Sequence, residues 1–249
     1  MTRARRWIVL PGLAETAEEF AGVIDLLPES YDVQVVDPWL VPVTASVDEL
    51  RTATGVDGSE PIGLVGHSIG GLAALRWALT RPTEVDRLVL VDTSLADETG
   101  HRLLYPGRIG DRLVRRGLRA LGHVGLPALV GPVVRGWLLR MSTETDRDPL
   151  HRATVRERYG SPGSWVQFWD ELSASWPMAV EVARLLESPV IAPPTVQLVG
   201  VGPRSARCHL GPQRVLAARL KAALRTLPDS AHLVHLDRPD AIAKAILAP

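Results

Sequence analysis

Gly66-His67-Ser68-Ile69-Gly70 sets a serine between two glycines at G-x-S-x-G spacing, a spacing that presents a hydroxyl for attack on a carbonyl carbon. By composition alone the pattern arises in roughly one chain in ten of this length, so its setting carries the weight. The apolar run Ile62-Gly63-Leu64-Val65 leads in, and a helical pattern from Gly70 to Leu79 leads out. A serine on so tight a strand-to-helix turn takes strained dihedrals. Side chains two residues to either side would collide across it, which accounts for glycine at both places. Gly71 adds a small residue where helix passes strand. The competing reading is a Gly-rich turn with an incidental serine. A serine hydroxyl is a weak nucleophile until a base takes its proton, and the chain offers seven histidines for that task.

Something must carry these groups, and the hydropathy pattern describes it. Residues 7 to 92, and 195 to the end, alternate short β-branched runs with helical patterns, which predicts a parallel sheet covered by helices. Strands are expected over 7–10, 32–37, 61–67, 86–92 and 195–200, with a last one near 223–228. Helices are expected over 14–27, 69–80, 212–222 and 238–247, where apolar residues recur at three- and four-residue spacing. From about 97 to 190 the rhythm breaks into short helical patterns punctuated by Gly and Pro. The expected organisation is a core from 1–96 and 191–249 with a helical cap inserted over 97–190. The insertion holds Trp137, Trp165, Trp169 and Trp176, and its segment from Asp111 to Val124 carries Arg112, Arg115, Arg116 and Arg119 along one side of an amphipathic helix. A solvated basic face over an apolar underside explains that stripe; a contact surface for an acidic partner or lipid is the alternative.

Leu10-Pro11-Gly12-Leu13-Ala14-Glu15-Thr16, the elbow His67-Ser68, and Ser230-Ala231-His232 leading to Asp237-Arg238-Pro239 together resemble the first-strand loop, nucleophile elbow and histidine loop of the α/β-hydrolase superfamily. The resemblance spans both ends of the chain and skips the insertion. It implies a mostly parallel sheet flanked by helices with an inserted cap, and it implies His232 as the base toward Ser68. The backbone N–H groups of Leu13 and Ile69 would hold the oxyanion, although many relatives have His-Gly where this chain has Pro11-Gly12. The acid usually follows the strand placed here at 195–200, yet Gly200-Val201-Gly202-Pro203-Arg204-Ser205 has no carboxylate. A minority of the family carry it one strand earlier, where Asp92 stands. A serine–histidine pair without an acid is the competing reading. His67 is expected to order the elbow, His235 to be structural, Asp37 to stabilise a loop, and Asp229 to lie too close in sequence to reach the imidazole.

His101, His123, His151 and His209 show no metal-ligand spacing, and neither metal nor cofactor is expected. The 28 basic and 28 acidic side chains cancel, so no net field draws the protein to nucleic acid or to an anionic membrane. A lone cysteine, Cys208, fits a reducing, cytoplasmic setting. No run approaches the roughly 18 apolar residues of a membrane span. The implied activity is cofactor-free hydrolysis of a carboxylic ester or thioester of a largely apolar small molecule, through an acyl-enzyme on Ser68. Cleavage of C–C, lactone or amide bonds is the enzymatic alternative, and a ligand-binding protein that has lost turnover is the other.

Overall fold

The computed structural model describes residues 5–95, 107–145, 147–187, 191–205 and 210–248. Cys208, His101, His209 and the first residues of the expected insertion lie outside the described residues.

Six strands, β1 (Arg5–Leu10), β2 (Tyr31–Val35), β3 (Ile62–His67), β4 (Val85–Val91), β5 (Thr195–Gly200) and β6 (Ala223–Leu227), form one sheet in the order β2-β1-β3-β4-β5-β6. Every neighbouring pair is parallel. All residues of β3 are buried, as a central strand covered on both faces must be.

Alternation along the strands sorts two cores. Ile8, Leu10, Leu64, Leu88 and Leu90 face one way, onto α2 (Ile69–Thr80), the latter half of α6 (Ser164–Glu187) and α7 (Leu210–Leu220). Trp7, Val9, Val65, Val89 and Val91 face the other way, onto Phe20, Val234 and α8 (Pro239–Leu247). A one-residue slip would exchange the two sets, so register is fixed by both cores.

The predicted strands stand where the pattern places them. A continuous helix over 14–27 is corrected. A 3-10 turn over Ala17–Phe20 and a single α-turn over Ala21–Ile24 occupy that stretch, because residues 12 to 16 are held in the loop after β1. Glu15 accepts the Gly12 N–H at 2.5 Å, and Glu19 accepts that of Thr16 at 2.7 Å. Helix α1 (Val47–Thr54) was not expected. A reciprocal cap between Ser46 and Glu49 starts it, and Gly55 at φ 65° ends it. Among the described residues between β4 and β5 stand α3 (Gly107–His123), α4 (Leu126–Ser142), α5 (Arg152–Gly160) and α6.

From β1 the chain steps outward to β2, then returns across β1 to β3, so the loops after β1 and β3 leave the sheet side by side. Leu10 and Gly66 are register partners at that edge. Such a switch of direction opens a crevice at the carboxyl ends of parallel strands. Gly70 lets the two loops touch: a β-carbon there would lie 2.1 Å from the Leu10 carbonyl oxygen and 2.2 Å from that of Pro11. These are backbone atoms that cannot yield. Gly70→Ala is expected to lower stability by about 3 kcal/mol or more, in the overpacking range, read as a lowered denaturant midpoint.

Candidate active site

Ser68 stands between the last residue of β3 and the first of α2 at φ 52°, ψ −120°, a region that costs a non-glycine residue on the order of 1–3 kcal/mol. A β-carbon on Gly66 would fall 2.4 Å from the Gly70 carbonyl, so the collision expected across the turn is real. Two other loop residues at this edge also have positive φ, Ala14 at 64° after β1 and Asp92 at 41° after β4. Strained backbone thus gathers at the ends of three adjacent strands.

The structure brings Ser68, His232 and Asp92 together. Ser68 Oγ lies 3.2 Å from His232 Nε2, and His232 Nδ1 lies 2.5 Å from Asp92 Oδ2. The carboxylate can only accept from Nδ1, so that nitrogen carries the proton and Nε2 presents its lone pair to the serine. Asp92 is 3% exposed, and its other oxygen accepts the Gly200 N–H at 3.1 Å, which fixes the carboxylate plane. The loop after β5 brings no carboxylate to the imidazole, in keeping with its sequence. Ile69 is the first residue of α2, where a backbone N–H lies beyond the reach of intrahelical bonding. Leu13 lies in the loop after β1, whose Leu10 and Pro11 carbonyls meet the elbow at Gly70.

The histidine loop is tethered by Asp237. Its carboxylate accepts the Ala231 N–H at 2.9 Å and the Glu144 and Thr145 N–H groups, at 2.9 and 3.1 Å, beyond the end of α4. Asp37 accepts the Trp39 N–H and pairs with Arg158, both at 2.9 Å, which is the loop-holding part expected of it. Asp229 pairs with Arg238, away from the imidazole.

Two contributors were not singled out in the sequence. Ser94 Oγ lies 3.1 Å from Ser68 Oγ, and the Ser94 N–H bonds the Ser68 carbonyl at 3.1 Å. Glu15 is 4% exposed, and its Oε1 lies 2.6 Å from His67 Nδ1, an ion-pair distance at an angle poor for a hydrogen bond. His67 Nε2 is 2.8 Å from the His232 carbonyl. Both neighbours of the His67 ring are acceptors, an environment that favours the protonated ring. Burial alone would lower its pKa, but the Glu15 carboxylate outweighs this and raises it. Burial likewise works against ionised Glu15, yet His67 holds its pKa down at about 2. The pair spans the site, from the Leu13 loop through the elbow to the histidine loop.

His235 stacks on Phe20 with ring centroids 4.4 Å apart, and burial pushes its pKa down to about 3, so it is neutral. Glu15, His67 and His235 bring three metal-capable atoms within 4.8 Å of one another. Glu15 and His67 face one another there at ion-pair distance.

A cleft of about 350 Å³ reaches Leu13 and Ala14 and is walled by Val134, Leu138, Trp165 and Trp169 among others. Its floor is anchored. Arg135, buried in α4, donates to Glu19 at 2.7 Å and to the Tyr159 hydroxyl at 2.6 Å, and Tyr159 donates to the Ala14 carbonyl at 2.5 Å.

A sequence profile of the Alpha/beta hydrolase family matches residues 7–245. This chain belongs to that family. It is 30% identical over 220 residues to a protein named Lipase LipV from Mycobacterium tuberculosis, covering 84% of this chain and 77% of that protein. Among solved structures, an alpha/beta hydrolase fold protein from Burkholderia ambifaria superposes with a TM-score of 0.73 at 17% identity, over 99% of this chain and 91% of that one. A thioesterase domain from the curacin biosynthetic pathway superposes at 0.66 and 16% identity, over 98% and 92%. At such identities the superpositions speak for the fold.

The Glu15–His67 pair has a pH signature. The depressed Glu15 contributes stability in full above its ordinary value of 4.5 and loses it as pH falls toward about 2. The raised His67 contributes in full below its ordinary 6.5 and loses it as pH rises through its folded value. Glu15→Gln should therefore cost most between those ordinary values, about 3 kcal/mol for one stranded partner of a buried pair, and less on either side. Denaturant titrations of both proteins across pH check this.

Proposed function

We propose that the protein is a serine hydrolase that cleaves a carboxylic ester or thioester with a largely apolar acyl part. The single observation that carries this reading is the position of His232, its Nε2 at 3.2 Å from Ser68 Oγ and its Nδ1 at 2.5 Å from Asp92 Oδ2.

Ser68 is the nucleophile. As Oγ bonds to the carbonyl carbon, its proton passes to His232 Nε2, and the Asp92 carboxylate stabilises the imidazolium so formed. The carbonyl oxygen takes the electron pair and is held by the N–H groups of Leu13 and Ile69, each worth about 3 kcal/mol by analogy with other serine hydrolases. Collapse expels the alcohol or thiol, which leaves with the proton from Nε2, and the acyl group remains on Ser68. Water repeats the sequence and frees the acid. Nothing beyond the chain and water enters these steps.

The apolar cleft supports an apolar acyl group, since sites of this size bind chiefly through their hydrophobic walls. On this reading the helices between β4 and β5 form the cap, and the division into core and cap follows that role. The lipase name of the 30%-identical relative and the thioesterase neighbour accord with ester or thioester chemistry. The Asp92 carboxylate on the imidazole favours turnover over a binding protein that has lost it. The lone cysteine supports a reducing, cytoplasmic setting.

A fluorophosphonate probe should label the wild type and not Ser68→Ala. Hydrolysis of an activated ester should show a burst equal to the enzyme concentration. Asp92→Asn should lower kcat by about three to four orders of magnitude through the wrong tautomer of His232. Unimpaired turnover by Ser68→Ala would end the proposal.

A further inference from the structure

Helix α4 divides its residues sharply. Pro127, Gly131, Arg135 and Leu139 turn inward. Leu129, Val133, Val134, Trp137, Leu138 and Met141 are exposed, with Leu129 at 73% and Trp137 at 58%. Ile109 and Leu113 on α3, and Val124 at the bend between the helices, continue the apolar surface at 61% exposure or more. Nine large apolar side chains are thus exposed on two consecutive helices and the bend between them, and clustered exposed apolar side chains of this kind mark interaction sites.

The charge on this surface is as lopsided as its hydropathy. From Gly107 to Ser142 the chain has seven arginines and one acidic residue, Asp111, although the whole chain is balanced. Arg135 is buried against Glu19, and Arg115 pairs with Asp111 and Asp170. Arg112, Arg116, Arg119 and Arg140 are exposed.

We propose that the outer face of α3 and α4 docks on an anionic lipid bilayer. The exposed arginines would meet headgroup phosphates while the apolar stripe enters the acyl boundary, with Trp137 at the depth where tryptophan settles. No single described helix is long and apolar enough to cross a membrane, although Ile109–His123 and Leu126–Ser142, bent by 104° at their junction, pass that test as a pair; the buried inner row Pro127, Gly131, Arg135 and Leu139 keeps α4 packed on the protein, so its outer face meets the bilayer from one side. A protein partner fits less well. Interfaces between proteins carry about one hydrogen bond per 100–200 Å², and between Leu126 and Met141 the only charged side chains are Arg140 and the buried Arg135, with the Trp137 indole N–H as the one further donor. A bilayer interior asks for none. Val134 and Leu138 belong both to the exposed stripe and to the cleft wall, so the cleft opens on the docking face. Resting on the hydrolase reading, this names the substrate class as esters resident in the membrane.

Sedimentation with vesicles tests the docking without turnover. The Ser68→Ala protein should bind vesicles of phosphatidylcholine mixed with phosphatidylglycerol, bind phosphatidylcholine alone far less, and release in high salt. Arg112→Ser with Arg116→Ser should weaken binding about twenty-five-fold, each arginine near an anionic surface being worth about fivefold. Val133→Ser with Trp137→Ser should weaken it more than about tenfold while leaving hydrolysis of a water-soluble ester unchanged, which also reports that this variant folds. Should it fail to fold, the arginine pair decides alone. Absence of binding, or binding that neither pair moves, overturns the proposal. A dimer that Val133→Ser with Trp137→Ser dissolves also overturns it, because a second copy then covers the face. Retained turnover in Ser68→Ala would sink the hydrolase reading and leave the sedimentation result standing.

Discussion

A serine held at φ 52° is the constraint on which the rest of the structure depends. The strain persists because the surroundings leave no alternative. β3 is buried on both faces, α2 is packed into the core through Leu72, Leu75 and Trp77, and the turn between them has no slack. Relaxing Ser68 would move a helix embedded in the largest hydrophobic cluster. The cost of that movement far exceeds the few kcal/mol stored at one residue. The same tightness makes Gly66 and Gly70 indispensable, and it points the hydroxyl out of the sheet edge toward the loop that carries His232.

Around that hydroxyl, three loops from three strands are tied to one another by charge rather than by apolar packing. Glu15 accepts the N–H of Gly12 and faces the His67 ring, whose Nε2 donates to the carbonyl of His232. Asp237 ties the histidine loop to the end of α4. Buried polar groups of this kind hold a geometry because any displacement strands a charge or a donor away from water. They therefore position the Leu13 loop and the His232 ring relative to Ser68. Arg135 extends the network into the helical segment through Glu19 and Tyr159, so cleft and sheet edge are registered to one another.

Much of this was legible in the sequence. The strands announced themselves because parallel strands buried on both faces read as short continuous apolar runs, and the elbow because its steric demands dictate glycine at fixed offsets. Asp92 was legible only through the family resemblance, whose less common arrangement puts the acid one strand earlier, because the loop after β5 has no carboxylate. Long-range neighbours were not legible. Ser94 reaches Ser68 only because β4 lies beside β3, and the pKa of His67 is raised only because a glutamate 52 positions earlier folds over it. The helix over Val47–Thr54 had a readable signal in Ser46 and Glu49, three apart at its start. The stretch 14–27 had helical periodicity, yet the loop after β1 claimed its first residues for side-chain hydrogen bonds that a helix would have broken.

The central claim is the convergence of Ser68, His232, Leu13 and Ile69 on one reacting carbon. A crystal structure of the protein after reaction with a phosphonate ester tests it most directly. The account predicts phosphorus bonded to Ser68 Oγ and a phosphonyl oxygen about 2.7–3.1 Å from the Leu13 and Ile69 nitrogens, with His232 Nε2 facing the vacated leaving-group position. Phosphorus on another residue, or on Ser68 with that oxygen turned to solvent and the imidazole displaced from Asp92, would contradict it.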